Sequence, residues 1–327
     1  MTEKLSLIEL AKIYDDNDKA RTKLEELRWP DGAECPHCES NNVYRLIAKT
    51  ESKTAGRKGL WKCATCRKQF TVTVGTIFEG SRIPLGKWLM AIYLICSSKK
   101  GISALQLMRM LWPEDGTKKS HYKTAWFMAH RIRYAMSQEP LRTKLTGTVE
   151  ADETYIGGKT ANMHPAQKRR FMDGRKGGSY GKAPVVTLVE REGRVKTHHM
   201  EHVTATNIKR ILRENISKEN AYLMSDDSVF YKRAEHMFIG HGAVNHSAGE
   251  YVRGVAHVNT AESVHALLKR GVMGTYHHWS KKHLHRYLAE FDFRWNHRKI
   301  SDADRTLEAI KIIGGKRLMY KTPTNKK

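Results

Sequence analysis

Apolar positions follow two different periods along this chain, and the switches between them mark its parts. Residues 5–28 carry Leu5, Leu7, Ile8, Leu10, Ala11, Ile13, Leu24 and Leu27 at broadly helical spacing, with polar residues between. Arg28-Trp29-Pro30-Asp31-Gly32 breaks the pattern, and Trp29 is expected to pack on the segment just downstream of it. Val43-Tyr44-Arg45-Leu46-Ile47 and Leu60-Trp61-Lys62 read as strands, and residues 69–75 alternate like another. Residues 84–137 turn helical. Trp88, Leu89, Ile92, Ile95 and Cys96 form one apolar run, with Cys96 read as core, and Ser103 is placed to cap a second helix. A polar break at 112–120 precedes a third helix through Tyr122, Ala125, Trp126, Met128, Ile132 and Ala135. After a linker at 140–146 the period falls to two. Strands are expected at 148–156, 184–189 and 195–200, with a hairpin turn at 190–194. Thr204 caps a helix through Ile208, Ile211 and Leu212, residues 221–224 form a short buried strand, and 229–237 return to helix. Val264, Leu267 and Leu268 give a helical stripe that Gly271 ends, and Leu284, Leu288 and Phe291 suggest one more helix. Three antiparallel strands followed by a helical crossover to a parallel strand make an α/β domain.

Composition adds a partner. The 327 residues carry a formal net charge of +24. A surplus that large repels itself and points to a polyanion, nucleic acid first. An anionic membrane fits less well, because no apolar run approaches the roughly 20 residues of a spanning helix. The first residues, Met1-Thr2-Glu3-Lys4, lack a secretory pattern, so a cytoplasmic protein is expected. Residues 159–182 hold seven Lys/Arg against one acid among several glycines, a basic loop of the kind that carries function. Residues 263–327 hold 15 Lys/Arg and five acids, interleaved with Tyr276, Trp279, Tyr287, Phe291, Phe293 and Trp295, as suits a DNA-facing element.

Two groups of residues carry chemistry. Cys35-Pro36-His37-Cys38 and Cys63-Ala64-Thr65-Cys66 are two knuckles of a four-sulfur Zn2+ site, filled and therefore structural, with His37 a bystander. The other group starts in the strand around Val149-Glu150-Ala151-Asp152-Glu153. Carboxylates inside a strand are costly unless paired or bound to a cation. Asp152 in mid-strand, Asp226 at a strand end and Glu262 on a helix are the candidate carboxylates. Asp227 competes with Asp226 for the second position. Phosphodiester chemistry uses such a cluster to hold Mg2+ or Mn2+. Glu150 shares a strand face with Asp152, Glu153 points to the opposite face, and both are expected in supporting or surface roles. Asn259 is expected to cap the helix of Glu262. Lys269 and Arg270 follow two turns later and can reach phosphates, while basic Lys123 and Arg131 stud the third helix of the 84–137 segment.

The chain resembles the DDE transposases of bacterial insertion sequences that place a zinc ribbon before an RNase H-like catalytic domain. The resemblance rests on residues 28–32, Cys35-Pro36-His37-Cys38, Gly75-Thr76-Ile77-Phe78, residues 149–158, Ser225-Asp226, Asn259-Thr260-Ala261-Glu262-Ser263 through Gly271, Tyr287 and Phe293-Arg294-Trp295-Asn296. It implies Asp152, Asp226 and Glu262 as the catalytic triad, and Lys269 as a basic residue at the transposon-end DNA. The implied layout is an N-terminal helical segment (1–30), the ribbon (31–80) and a helix-turn-helix-like DNA-binding segment (81–140). An RNase H-like α/β domain (147–300) and a basic C-terminal extension (301–327) complete it. The implied activity is Mg2+- or Mn2+-dependent cleavage at terminal inverted repeats and joining of the freed 3′ ends to target double-stranded DNA, by a homodimer or higher assembly. The alternatives are a structure-specific nuclease on the same fold and a silent DNA-binding regulator derived from a transposase.

Overall fold

The computed structural model describes residues 5–46, 58–112, 120–137, 143–157, 164–165, 169, 181–226, 228–245, 248–250, 252–315 and 318–319. Most of the basic loop at 159–182, Asp227 and the last residues from 320 lie outside them. The chain divides into two compact units, residues 1–136 with 299–327, and residues 137–298.

In the first unit the periodic stretch at 5–28 is two helices, α1 (Leu7–Ile13) and α2 (Asn17–Arg28). Local capping splits them. Ser6 and Glu9 form a capping box at α1, and Asp16 accepts the Asp18 and Lys19 amides to start α2 anew. The ribbon is a three-stranded antiparallel sheet of β1 (Val43–Arg45), β2 (Trp61–Cys63) and β3 (Gln69–Phe70), in that order. Trp29 packs edge-on against Trp61 and Phe70, as its position beside the ribbon predicts. The strand expected over 69–75 stops at Phe70. Turns take over from Thr71, and Arg28 draws the freed Val72 and Val74 carbonyls to its guanidinium.

Helices α3 (Leu85–Ser97), α4 (Ala104–Leu111) and α5 (Ser120–Met136) complete this unit with α10 (Asp302–Lys311). Ser103 caps α4 through the Gln106 amide, as expected. Gly86 lies where a Cβ would sit 2.2 Å from the Tyr14 carbonyl, so α3 can abut the end of α1 only through glycine. Cys96 is buried, and its carbonyl accepts from Arg305 of α10. The start of the C-terminal extension is therefore a docked helix of this unit. Residues 113–119, between α4 and α5, where the turn of the expected helix-turn-helix-like segment falls, lie outside the described residues.

The second unit is built on a five-stranded mixed sheet with strand order β6-β5-β4-β7-β8. Its strands are β4 (Leu145–Ile156), β5 (Ala183–Glu190), β6 (Val195–His199), β7 (Ile216–Asp226) and β8 (Gly240–Val244). β4 pairs antiparallel with β5 and parallel with β7, and β7 pairs parallel with β8. This is the mixed α/β sheet expected of an RNase H-like domain. Helix α6 (Ala205–Asn215) and the single turn α7 (Val229–Lys232) cover one face around Val149, Ala151, Leu223 and Tyr231. Helices α8 (Asn259–Gly271) and α9 (Leu284–Asn296) cover the other around Val185, Val189, Val264, Leu268 and Phe291. The outer edge of β6 is satisfied by side chains of α9. Asn296 pairs with both backbone groups of Val195, and Asp292 accepts the Thr197 amide at 2.9 Å. Among the described residues no helix is long and apolar enough to cross a membrane.

Candidate active site

β4 is central and buried on both faces, so a polar residue in it must find a partner. β4 and β7 run in parallel with Ala151 opposite Ser225, which sets Asp152 beside Asp226 as β7 ends. Ligand sites of open α/β sheets gather at such carboxyl ends. Carboxylate oxygens of Asp152, Glu153 and Asp226 lie within 4.8 Å of one another. Burial, and then the Asp226 charge, push the Asp152 carboxyl up to about 7. The same two causes, in the same order, push Glu153 up to about 8. One Glu153 oxygen is buried without a hydrogen-bond partner. Crowded acids with an unsatisfied oxygen are the donor set a hard divalent cation takes.

Of the supporting or surface roles expected for Glu153, the surface one does not hold. Alternation does turn it away from Asp152, but that face is covered by α7 rather than by water. Tyr231 of α7 is fully buried there, its hydroxyl pushed up by burial and by the Glu153, Asp152 and Asp226 charges. No pattern in the sequence marks this, because the covering turn lies more than seventy residues downstream.

Glu262 stands in the first turn of α8, exposed, and outside the three-carboxylate group. Its charge still acts on Asp152, raising it, while that of Lys269 lowers it. Lys269 and Arg270 are exposed in the last turn of the same helix. Between these residues, His265 points inward. It hydrogen-bonds Thr187 of β5 through Nε2 at 2.9 Å, and its Nδ1 lies 3.5 Å from Asp152. Burial, then Lys269, hold its imidazole down at about 4. It is therefore neutral near pH 7. Asn259 does not cap α8. It lies inside the first turn, and the cap comes from Glu150 of β4.

Lys123 is exposed on α5. Arg131, expected at DNA from its place on a basic helix, is turned inward in the free protein. It is buried, donates to the Glu79 and Leu318 carbonyls, and lies over the Phe127 and Trp88 rings.

In the ribbon, Cys35, Cys38, Cys63 and Cys66 form one group, with 3.7 Å between Cys35 and Cys66 sulfurs and 3.6 Å between those of Cys38 and Cys63. Sulfurs about 2.3 Å from a tetrahedral zinc stand nearly that far apart. The group fits structural Zn2+. His37 is exposed and outside it.

Comparison with known proteins finds relatives for both parts of the chain. Residues 144–296 match the model of an ISXO2-like transposase domain, and residues 15–69 that of a transposase zinc-ribbon domain. An uncharacterized protein in the transposable element ISH50 of Halobacterium salinarum is 29% identical over 289 residues, 86% of this chain and 92% of that protein. The chain thus carries, in order, the zinc ribbon and the ISXO2-like domain of an insertion-sequence transposase, the family its sequence resembles.

Proposed function

We propose that this protein binds the terminal inverted repeats of its own mobile element, cleaves at the 3′ ends of the element and joins them to target DNA. The observation that carries this reading is the meeting of Asp152, in the middle of β4, with Asp226 at the carboxyl end of the parallel strand β7, and with Glu262 and Lys269 on the helix that packs on that face. Asp152, Asp226 and Glu262 form the catalytic triad, and Glu153 joins them in holding Mg2+ or Mn2+. Such ions, when bound, activate the attacking oxygen and stabilise the leaving one. The protein's own share is to hold the carboxylates in place and to keep bulk water out behind Tyr231. It also sets cationic side chains beside the scissile strand. Lys269 and Arg270 meet phosphates at the site, and Lys123 meets them on the helical segment. Two ends must be joined, so the working form on DNA is a dimer or larger.

A strand-transfer reaction with labelled element ends, a target plasmid and Mg2+ tests the reading. Joined products are expected. Nicking without joining marks a structure-specific nuclease, and binding alone a silent regulator.

A further inference from the structure

Helix α8 brings no cap of its own. The residue before its first turn is Val258, which offers no side-chain acceptor, and the Asn259 side chain makes no cap bond. The first amides of a helix must find acceptors. Those of Thr260 and Ala261 find them in another element: both donate to Oε2 of Glu150 in β4, at 2.8 and 3.0 Å. The Thr260 hydroxyl donates to Oε1 at 3.1 Å, and Arg191 donates to the same oxygen through Nε at 2.8 Å. His257 Nδ1 lies 3.3 Å from it. The Glu150 side chain has 0% exposure. Arg191, at the turn between β5 and β6, also donates to the His257 carbonyl at 3.1 Å. One carboxylate thus ties the central strand, the hairpin turn and the helix start together.

Its neighbours in sequence give this tie a purpose. Glu150 lies two residues before Asp152 on the same strand face, and Ala261 is followed directly by Glu262. A single side chain therefore links the backbone that carries Asp152 to the backbone that carries Glu262. His265, one turn on, adds a second pin through Thr187 and Asp152. The geometry must be strict, because sliding α8 by one residue turns Glu262 about 100° and moves it about 1.5 Å.

We propose that Glu150, held by Arg191, is a positioning residue that fixes α8 so that Glu262 and Lys269 stand over Asp152. This rests on the reading of Asp152 and Glu262 as active-site carboxylates. A plain buried acid would only stabilise the domain. A positioning acid also sets how well the site takes up its cation.

The test uses full-length protein with Glu150→Gln and Arg191→Lys. Glutamine keeps the size but cannot accept from the α8 amides and Arg191 together. Lysine keeps the charge but not the reach to both Glu150 and the His257 carbonyl. Hydrogen exchange is followed over residues 260–268 against β4, and 3′-end cleavage is followed across a Mg2+ titration. For Glu150→Gln, exchange in α8 is expected to rise while β4 stays protected. Cleavage is expected to fall about 10- to 100-fold, with a higher Mg2+ requirement and retained end binding. Arg191→Lys shows the same changes in smaller measure, and carries the test if Glu150→Gln does not fold. Unchanged exchange in α8, or cleavage lost with no change in Mg2+ requirement, overturns the proposal. Cleavage by Asp152→Asn at the native rate would instead overturn the active-site reading, and the exchange result would still judge the pin.

Discussion

In the proposed function Asp152 is the residue on which the chemistry turns, and its surroundings say what replacing it does. Asparagine keeps its shape and an oxygen for the Glu153 amide, which Asp152 holds at 2.8 Å. It removes the charge. Asp152→Asn should leave the fold and end binding intact and reduce cleavage and joining by about a thousandfold or more, as loss of a group acting directly on the reacting centre does. Glu153 makes a separate prediction, with two signs. Its carboxyl is pushed up by burial and by two neighbouring acids, so without metal it strains the folded state. Glu153→Gln should therefore raise the melting temperature of metal-free protein near pH 8. Added Mn2+ should then raise it less than in the wild type, because one ligand is gone. Equal Mn2+ responses in the two proteins would remove Glu153 from the ligand set. Asp152 was legible as a carboxylate in a buried strand. The depth of Glu153 was not, because strand period assigns a face but not what covers it.

At the scale of elements, two docking devices can be titrated. Asp292 of α9 is buried against β6 and accepts both the amide and the hydroxyl of Thr197. Burial, outweighing those bonds, pushes its carboxyl up to about 7. Between its unfolded value and about 7, the folded state holds a proton that the unfolded state has lost. Stability therefore falls as pH rises through that window. Asp292→Asn keeps an acceptor for the amide and a donor for the hydroxyl, so it should remove this slope and melt higher than the wild type at pH 8. Melting curves from pH 4 to pH 8 decide it, and parallel curves would refute it. The ribbon depends on its metal in the same sense. Among the described residues, its small core around Cys35, Cys63 and Phe70 is completed by Trp29, Val43, Trp61, Cys66 and Val74. Chelation, or Cys63→Ser, should shift the Trp29 and Trp61 fluorescence towards that of exposed indole while the sheet of the second unit keeps its signal. Most elements could be read from period and caps, including α4 from Ser103 and α6 from Thr204. Strand β8 could not. Its glycines depress strand propensity, and at Gly240 a Cβ would stand 2.3 Å from the exposed Tyr222 ring, which lies over the strand in place of a side chain of its own. The cap of α8 was hidden for a related reason: the carboxylate that supplies it lies in β4, far away in sequence.

For the whole molecule, the charge of +24 is the plainest statement in the sequence, but it overstates what meets DNA. Arg131, Arg133 and Arg294 are buried, and Arg191 and Arg194 are held by Glu150 and Glu190. Lys123, Lys269 and Arg270 are exposed, and in the proposed function they are the cations that meet phosphates. A protein that covers about six phosphates loses affinity with a log–log salt slope near −5. Element-end DNA and random DNA of equal length should therefore weaken together as salt rises. The end DNA should keep a roughly constant advantage, because base contacts release few ions. Lys123→Ala should flatten the slope by about one on both DNAs and leave that advantage intact. Arg131→Ala should act differently. It removes a side chain that ties the Glu79 and Leu318 carbonyls together, so it should lower the melting temperature and leave the slope of the folded protein unchanged. A slope that falls equally in both variants would mean that burial does not keep Arg131 from the DNA, and the helical segment would then engage its partner in a different arrangement from the free protein.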